Sequence, residues 1–247
     1  MVKIIGHRGA RDLWPENSLE GFRNLIELGV EGVEFDIHQT RDNEIAVIHD
    51  PTLDRTTHGS GPVGERTLAE LQSIVLRNSR ERIPSLDDVL DVLGERALEL
   101  HVEIKTDALG NSYPGLERRV IAAIERHGLR DRTILTCFAP DVLETARRLD
   151  RTIRVLGSLD RRSAEMMGGL LLALDRFAAI DGCFLAVEKS LLALGMEACV
   201  AKFGHERLGA WVPNEEADLA AWLSRPIRQI TTDRPDLALK VREGLTC

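Results

Sequence analysis

Aromatic residues make up only 4% of this 247-residue chain, which withholds the stacking platform that single-strand nucleic-acid binders use. Positive charge is also scarce. Lys+Arg 32 against Asp+Glu 40 leaves a net charge of −8 and a pI near 5.5, the wrong sign for gripping a polyanionic backbone. Nucleic acid is therefore not an expected partner. Long apolar runs are missing too: none exceeds the length of Leu170–Leu174, far short of the ~20 residues that cross a bilayer. No membrane span is expected. His7 and Arg8 interrupt the N-terminus before the apolar core of a secretory signal forms, so the cytoplasm is the expected compartment. Cys137, Cys183, Cys199 and Cys247 lie far apart, without a Cys-x-x-Cys pair, and are expected as reduced, mostly buried thiols.

What remains is ordinary globular composition, 43% hydrophobic and 29% charged, in a chain long enough to bury roughly three quarters of its unfolded surface. Short β-rich runs alternate with amphipathic stretches, the pattern of parallel strands joined by helices. The strand candidates are Lys3–His7, Gly32–His38, Leu98–Lys105, Thr133–Thr136, Ile153–Leu156, Gly182–Val187, Ala210–Val212 and Gln229–Thr231. Helix candidates follow at Ser18–Leu28, Leu86–Leu93, Leu116–Arg126, Asp141–Leu149, Arg162–Leu174, Leu191–Phe203, Glu215–Leu223 and Pro235–Arg242. Ser18, Ser85, Asn214 and Asp233–Arg234–Pro235 stand where caps or a first-turn proline belong. About eight such units in this length predict one (β/α)8 TIM barrel over residues 1–247 rather than a doubly wound sheet.

The stretch 41–66 breaks the alternation. Asp42–Asn43 reads as a tight turn into an extra strand, Glu44–His49, followed by a loop with Gly59, Gly61 and Gly64. A small insertion after the second strand is expected, lying over the C-terminal mouth where barrel enzymes keep their chemistry. The Leu-rich run Leu170–Leu174 fits a homo-oligomer face and barrel packing equally.

Glu34 and Asp36 stand at i and i+2 in a strand whose alternate residues Val33, Phe35 and Ile37 are apolar, so both carboxylates point into the lumen. Glu103, between Val102 and Ile104, repeats the arrangement on the next strand. Several unpaired anions there are costly, and one divalent cation resolves the cost. An all-carboxylate set suits Mg²⁺ or Ca²⁺. The plainer alternative is an interior salt-bridge network of these acids with Arg8 and Lys105. His7 closes the first strand and His49 the extra one, and two strand-end histidines beside three carboxylates suit acid–base work near neutral pH. Arg8 offers a fork for phosphate, with Gly9 permitting close approach, and Lys105 shares the face of Glu103. Phe138 and Trp211 suit either an apolar wall for substrate or core packing. The other histidines read as surface or packing residues, with His101 alone on the luminal face of its strand.

His7–Arg8–Gly9–Ala10, Pro15–Glu16–Asn17–Ser18, Glu34–Phe35–Asp36, Thr40–Arg41–Asp42 and Val47–Ile48–His49–Asp50 resemble the glycerophosphodiester phosphodiesterase family in order and spacing. Leu53–Asp54–Arg55–Thr56–Thr57, Ile83–Pro84–Ser85–Leu86, Glu103–Ile104–Lys105, Trp211 with Asn214, and Thr232–Asp233–Arg234–Pro235 extend the likeness across nearly the whole chain. The resemblance implies a divalent ion on Glu34, Asp36 and Glu103, His7 and His49 as acid–base pair, and phosphate held by Arg8 and Lys105. It implies hydrolysis of a small glycerophosphodiester through a cyclic phosphate to glycerol 3-phosphate and an alcohol. The chain departs from the family's pattern at Cys137 and at Val212–Pro213, positions expected at the outer mouth, where the alcohol is chosen. Three other readings compete: a silent barrel that binds phosphorylated ligands, a lysophospholipid-cleaving relative, which needs an exposed apolar rim, and carbon-acid chemistry with Lys105 as base.

Overall fold

A computed structural model describes residues 1–94 and 96–246. Nine strands form one sheet: β1 (Lys3–His7), β2 (Gly32–Gln39), β3 (Ile45–Val47), β4 (Glu99–Ile104), β5 (Thr133–Cys137), β6 (Arg154–Leu159), β7 (Phe184–Glu188), β8 (Leu208–Trp211) and β9 (Gln229–Thr232). All except β3 are parallel, in the order β1-β9-β8-β7-β6-β5-β4-β2, and pairing of β1 with β2 closes the ring. This is the TIM barrel, with β3 laid antiparallel on β2. Helices cover the outside, and apolar side chains of strand and helix meet between the two layers in one continuous core.

Local chemistry accounts for the helix starts. Ser18 Oγ accepts from Gly21 N ahead of Leu19–Leu28, with Gly29 closing that helix in the left-handed conformation. Ser85 and Asp88 bond each other's backbone N–H at the start of Leu86–Gly94. Two expectations need correction. The helix expected over Arg162–Leu174 is two helices, Arg161–Met166 and Leu170–Ala178, because Gly168 and Gly169 take φ of 92° and 112°, which no continuing helix permits. The excursion expected over 41–66 continues to Ile83: Leu53, Val63, Leu71, Leu76 and Ile83 pack with Ala46 and Ile48 into a small core of their own. In the run Leu170–Leu174, Ala173 and Leu174 are buried while Leu171 and Leu172 are exposed. Cys137, Cys183 and Cys199 are buried free thiols, and Cys247 lies outside the described residues.

The lumen is layered by strand alternation. On β4, Glu99, His101 and Glu103 follow one another upward on the inner face. At the lower end Glu99 accepts from Arg228 Nη2 (2.5 and 2.6 Å) and Arg154 Nη1 (2.9 Å), with Lys3 Nζ at 3.3 Å and His101 Nε2 at 3.5 Å. Burial works against that charge, yet the proximity of His101 and the bonds from Arg228 hold Glu99 well below the usual carboxylate range.

Candidate active site

At the upper end, register brings the acids together: Asp36 lies beside Glu103 across β2 and β4, and His7 beside Glu34 across β1 and β2. Oxygens of Glu34, Asp36 and Glu103 all lie within 4.8 Å of one another. Lys105 Nζ donates to Glu103 Oε1 and stands 2.9 Å from Asp36 Oδ1. Asn17 Nδ2 donates to Asp36 Oδ2 (2.9 Å), and Arg8 Nε is 3.4 Å from the same oxygen. Arg8 N donates to Glu34 Oε2 (3.1 Å), leaving Glu34 Oε1 buried without a hydrogen-bond partner. Burial, then the charges of Asp36 and Glu103, push Glu34 well above the ordinary carboxylate value, against Arg8 and Lys105. Asp36 goes the other way: burial opposes its charge, but Lys105 and Arg8 hold it far below.

Three carboxylates here face two fixed cations, and the surplus sits on Glu34. The salt bridges that the plainer alternative requires are present, and they do not balance the cluster. Convergent hard oxygen donors, two of them (Glu34 Oε1 and Asp36 Oδ1) without a hydrogen bond, fit a divalent cation, and no thiolate or imidazole competes in the set.

Each histidine is clamped at Nδ1. His7 Nδ1 lies 2.5 Å from Asp233 Oδ1 and His49 Nδ1 2.6 Å from Asp50 Oδ1. A carboxylate at that distance accepts, so each Nδ1 carries the proton and each Nε2 is free for chemistry. His7 Nε2 lies 3.8 Å from Glu34 Oε2. Asp233 is itself gripped by Asn214 Nδ2 (2.7 Å) and Arg11 Nε (2.9 Å). Burial opposes the Asp233 charge, but His7, Asn214 and Arg11 hold it at about 2. Burial is the main force lowering His49 to about 4, assisted by Lys105 and Arg8 and resisted by Asp36. Arg8, Gly9 and Ala10 all take positive φ (52°, 74° and 69°), a tight turn in which Arg8 N is aimed at Glu34.

A cavity of about 230 Å³ is lined by His7, Arg8, Glu34, His49, Glu103 and Lys105 on its charged side and by Phe138 and Trp211 across from them. Asp36 alone of the expected site residues does not line it and is fully buried. Phe138 and Trp211 meet edge to face at 5.7 Å, and Trp211 Nε1 donates to Ala186 O. Both rings are partly buried and line the cavity, so wall and packing coincide. His101 lines its floor. A hollow of similar size, about 240 Å³, lies outside the barrel among Glu44, Ser85 and Arg126, and Arg126 there is paired with Asp87.

Cys137, expected at the outer mouth, is instead buried, its Sγ donating to Ile104 O, because strand alternation turns Thr136 inward and Cys137 outward. Asn214 and Asp233 stand where caps were expected and serve the site instead: Asn214 Oδ1 accepts from Asp233 N and Thr232 Oγ1, which fixes the clamp on His7. His38 proves to be a fully buried support. Its Nε2 donates to His49 O (3.0 Å) and its Nδ1 accepts from Tyr113 Oη (2.9 Å).

Residues 7–237 match the Glycerophosphoryl diester phosphodiesterase family. The chain is 28% identical to "Glycerophosphodiester phosphodiesterase" of Caldanaerobacter subterraneus subsp. tengcongensis over 98% of each chain. It is 29% identical to the protein of the same name from Bacillus altitudinis over 99% of this chain and 100% of the relative. Among solved structures, a putative glycerophosphoryl diester phosphodiesterase from Agrobacterium tumefaciens superposes with a TM-score of 0.90 at 26% identity, covering 100% of this chain and 99% of that one. With the match spanning nearly every strand and every clamp of the cavity, the chain belongs to the glycerophosphoryl diester phosphodiesterase family.

Proposed function

We propose that this protein hydrolyses small glycerophosphodiesters to glycerol 3-phosphate and an alcohol, acting as one barrel domain over residues 1–247 with its excursion at the mouth. The reading is carried by two imidazoles, each fixed at Nδ1 by its own carboxylate and each free at Nε2, on one cavity with three converging acids and two phosphate-sized cations.

Glu34, Asp36 and Glu103 would hold one divalent cation, Mg²⁺ or Ca²⁺, whose charge offsets that building on the phosphoryl oxygens. Arg8 and Lys105 hold the phosphate. One histidine Nε2 takes the proton of the glycerol 2-hydroxyl as its oxygen attacks phosphorus, and the bond from phosphorus to the alcohol breaks. The other histidine, entering as imidazolium with a second proton on Nε2, gives that proton to the departing oxygen, leaving a five-membered cyclic phosphate. Water then adds to phosphorus by the reverse proton traffic, the bond to the 2-oxygen breaks, and glycerol 3-phosphate leaves. Positioned proton transfer of this kind contributes roughly 10²- to 10⁴-fold. Phe138 and Trp211 form the wall against which the alcohol rests. The excursion loop carries Arg55, His58, Gly59, Ser60 and Gly61 rather than an apolar rim, which favours water-soluble head groups over acyl chains. No helix of the described residues is long and apolar enough to cross a membrane; with buried free thiols at Cys137, Cys183 and Cys199, the cytoplasm is the compartment we propose.

The test is release of glycerol 3-phosphate from glycerophosphocholine, glycerophosphoethanolamine and glycerophosphoinositol. Turnover stops with chelator and returns with Mg²⁺ or Ca²⁺. Absence of release from all three with either ion present overturns the proposal.

A further inference from the structure

The excursion and the loop after β1 are tied by charge-assisted hydrogen bonds that run from one member of the site to another. Beyond the clamp of His49 on Asp50, Arg55 grips Asp50 through Nε (2.6 Å) and Nη2 (3.0 Å). The same guanidinium grips Glu16 through Nη1 and Nη2, both at 2.8 Å. Glu16 Oε1 in turn accepts from Arg8 Nη1 (3.3 Å). Arg55 therefore forks two carboxylates at once, one holding a histidine and the other an arginine of the cavity, while not lining the cavity itself.

This geometry matters because of where His49 stands. The β2–β3 ladder ends at Val47, and the last backbone tie before His49 runs from Ile48 N to Asp36 O. His38 fixes the His49 carbonyl, which leaves the direction of the imidazole to Asp50 and the direction of Asp50 to Arg55. On the other side, Arg8 is drawn toward Asp36 by charge and toward Glu16 by its hydrogen bond, so Glu16 decides how far the guanidinium leans over the acids. The Arg55 side chain is 48% exposed, and ion pairs this open stabilise a fold only slightly. What the double fork supplies is a fixed distance.

We propose that Arg55, with Glu16, is a positioning residue that couples the proton-transferring His49 to the phosphate-holding Arg8, an inference that rests on the roles proposed above for those two side chains. Without Arg55, Asp50 turns freely under His49, and Glu16 is left to Arg8 alone. The first change slows proton transfer and the second weakens the hold on phosphate.

The experiment is steady-state kinetics on glycerophosphocholine for Arg55→Ala, Arg55→Lys, Asp50→Asn, Glu16→Gln and the double variant Asp50→Asn with Arg55→Ala, each with a melting curve, and His49→Ala as reference. Arg55→Ala is expected to lower kcat/KM roughly ten- to hundredfold, the scale of a small misplacement of reacting groups, with its melting point nearly unchanged. Asp50→Asn acts mainly on kcat and Glu16→Gln mainly on KM. Arg55→Lys recovers little, since one ammonium cannot fork two carboxylates. In the double variant kcat is no lower than in Asp50→Asn alone, because both changes cut the same chain. Wild-type kcat and KM in Arg55→Ala, additive losses in the double variant, or a kcat loss that tracks a fall in melting point each overturn the coupling. Loss of turnover in His49→Ala beside unaltered Arg55→Ala overturns the coupling alone. Undiminished turnover in His49→Ala overturns the role of His49, and the coupling with it.

Discussion

The two ends of the barrel lumen solve the same electrostatic problem in opposite ways, and β4 takes part in both. At the lower end a single carboxylate, Glu99, is surrounded by Lys3, Arg154 and Arg228, and both of its oxygens are bonded. Four residues along, about 13 Å by strand rise, Glu103 joins Glu34 and Asp36 against only Arg8 and Lys105, and Glu34 Oε1 has no partner. Burial disfavours charge at both places. Below, cations outnumber the acid and Glu99 stays ionised; above, acids outnumber cations and Glu34 is pushed toward its protonated form. A charge network that serves the fold is closed by its own residues, whereas one that serves a ligand is left short of charge by the ligand's share.

The largest expected effect separates the two ends by activity. Glu103→Gln and His49→Ala should each lower kcat by roughly 10²- to 10⁴-fold in a glycerol 3-phosphate release assay, while Glu99→Gln leaves kcat nearly unchanged. Near-wild-type turnover in Glu103→Gln would erase the distinction. Stability should reverse the ranking. Glu99→Gln strands three cations around a neutral amide and should cost about 3 kcal/mol in urea unfolding, whereas Glu34→Gln relieves crowded negative charge and should leave the urea midpoint unchanged or raise it in metal-free buffer.

Acid should weaken the upper end through a histidine that no substrate touches. Burial holds His38 down at about 4, against an ordinary 6.5, despite its bond to the His49 carbonyl. The folded protein keeps His38 neutral where the unfolded chain takes up a proton, so stability present above pH 6.5 is lost as pH falls toward 4, by roughly 3 kcal/mol at most. Melting curves between pH 7 and pH 4.5 should show this fall, and His38→Gln should make it shallower, leaving the shares of His49 and His101, which burial also holds down. The smallest effect concerns the aromatic wall: Trp211→Phe and Phe138→Leu should alter KM differently for choline and inositol diesters, by a few-fold, with kcat held. Equal shifts for every alcohol would remove the wall from substrate selection.

Much of this was legible because strands repeat every two residues. Glu34, Asp36, Glu103 and Lys105 were placed on one face by alternation alone, and the register then brought them together. His7 was legible as a strand end, whereas His49, expected to close a strand Glu44–His49, stands two residues past β3, which ends at Val47 because the ladder on β2 stops there. Their partners were not equally so. Asp50 is the next residue to His49, but Asp233 reaches His7 from 226 residues away, and in the sequence it stands before a proline, where a helix cap is the natural reading. Asn214 misleads for the same reason: short polar side chains cap helices and clamp carboxylates with the same atoms. Arg55 and Glu16 carry no periodic signal, since both lie in loops whose approach only the folded excursion creates. The break at Gly168–Gly169 was visible as two adjacent glycines inside an apolar pattern, where hydrophobic spacing outweighed a backbone signal that should have ended the helix.

The span between His7 and Asp233 also makes the clasp on His7 depend on both ends of the barrel. Residues 34–103 hold all three acids of the proposed ion site, on β2 and β4, which pair directly. The clasp that orients His7 arrives only with the last stave, when β9 slots in beside β1. A ribosome-tethered fragment ending near residue 225 should therefore contain every group needed to capture a cation and yet leave phosphodiesters intact, its chemistry withheld until the ring is shut.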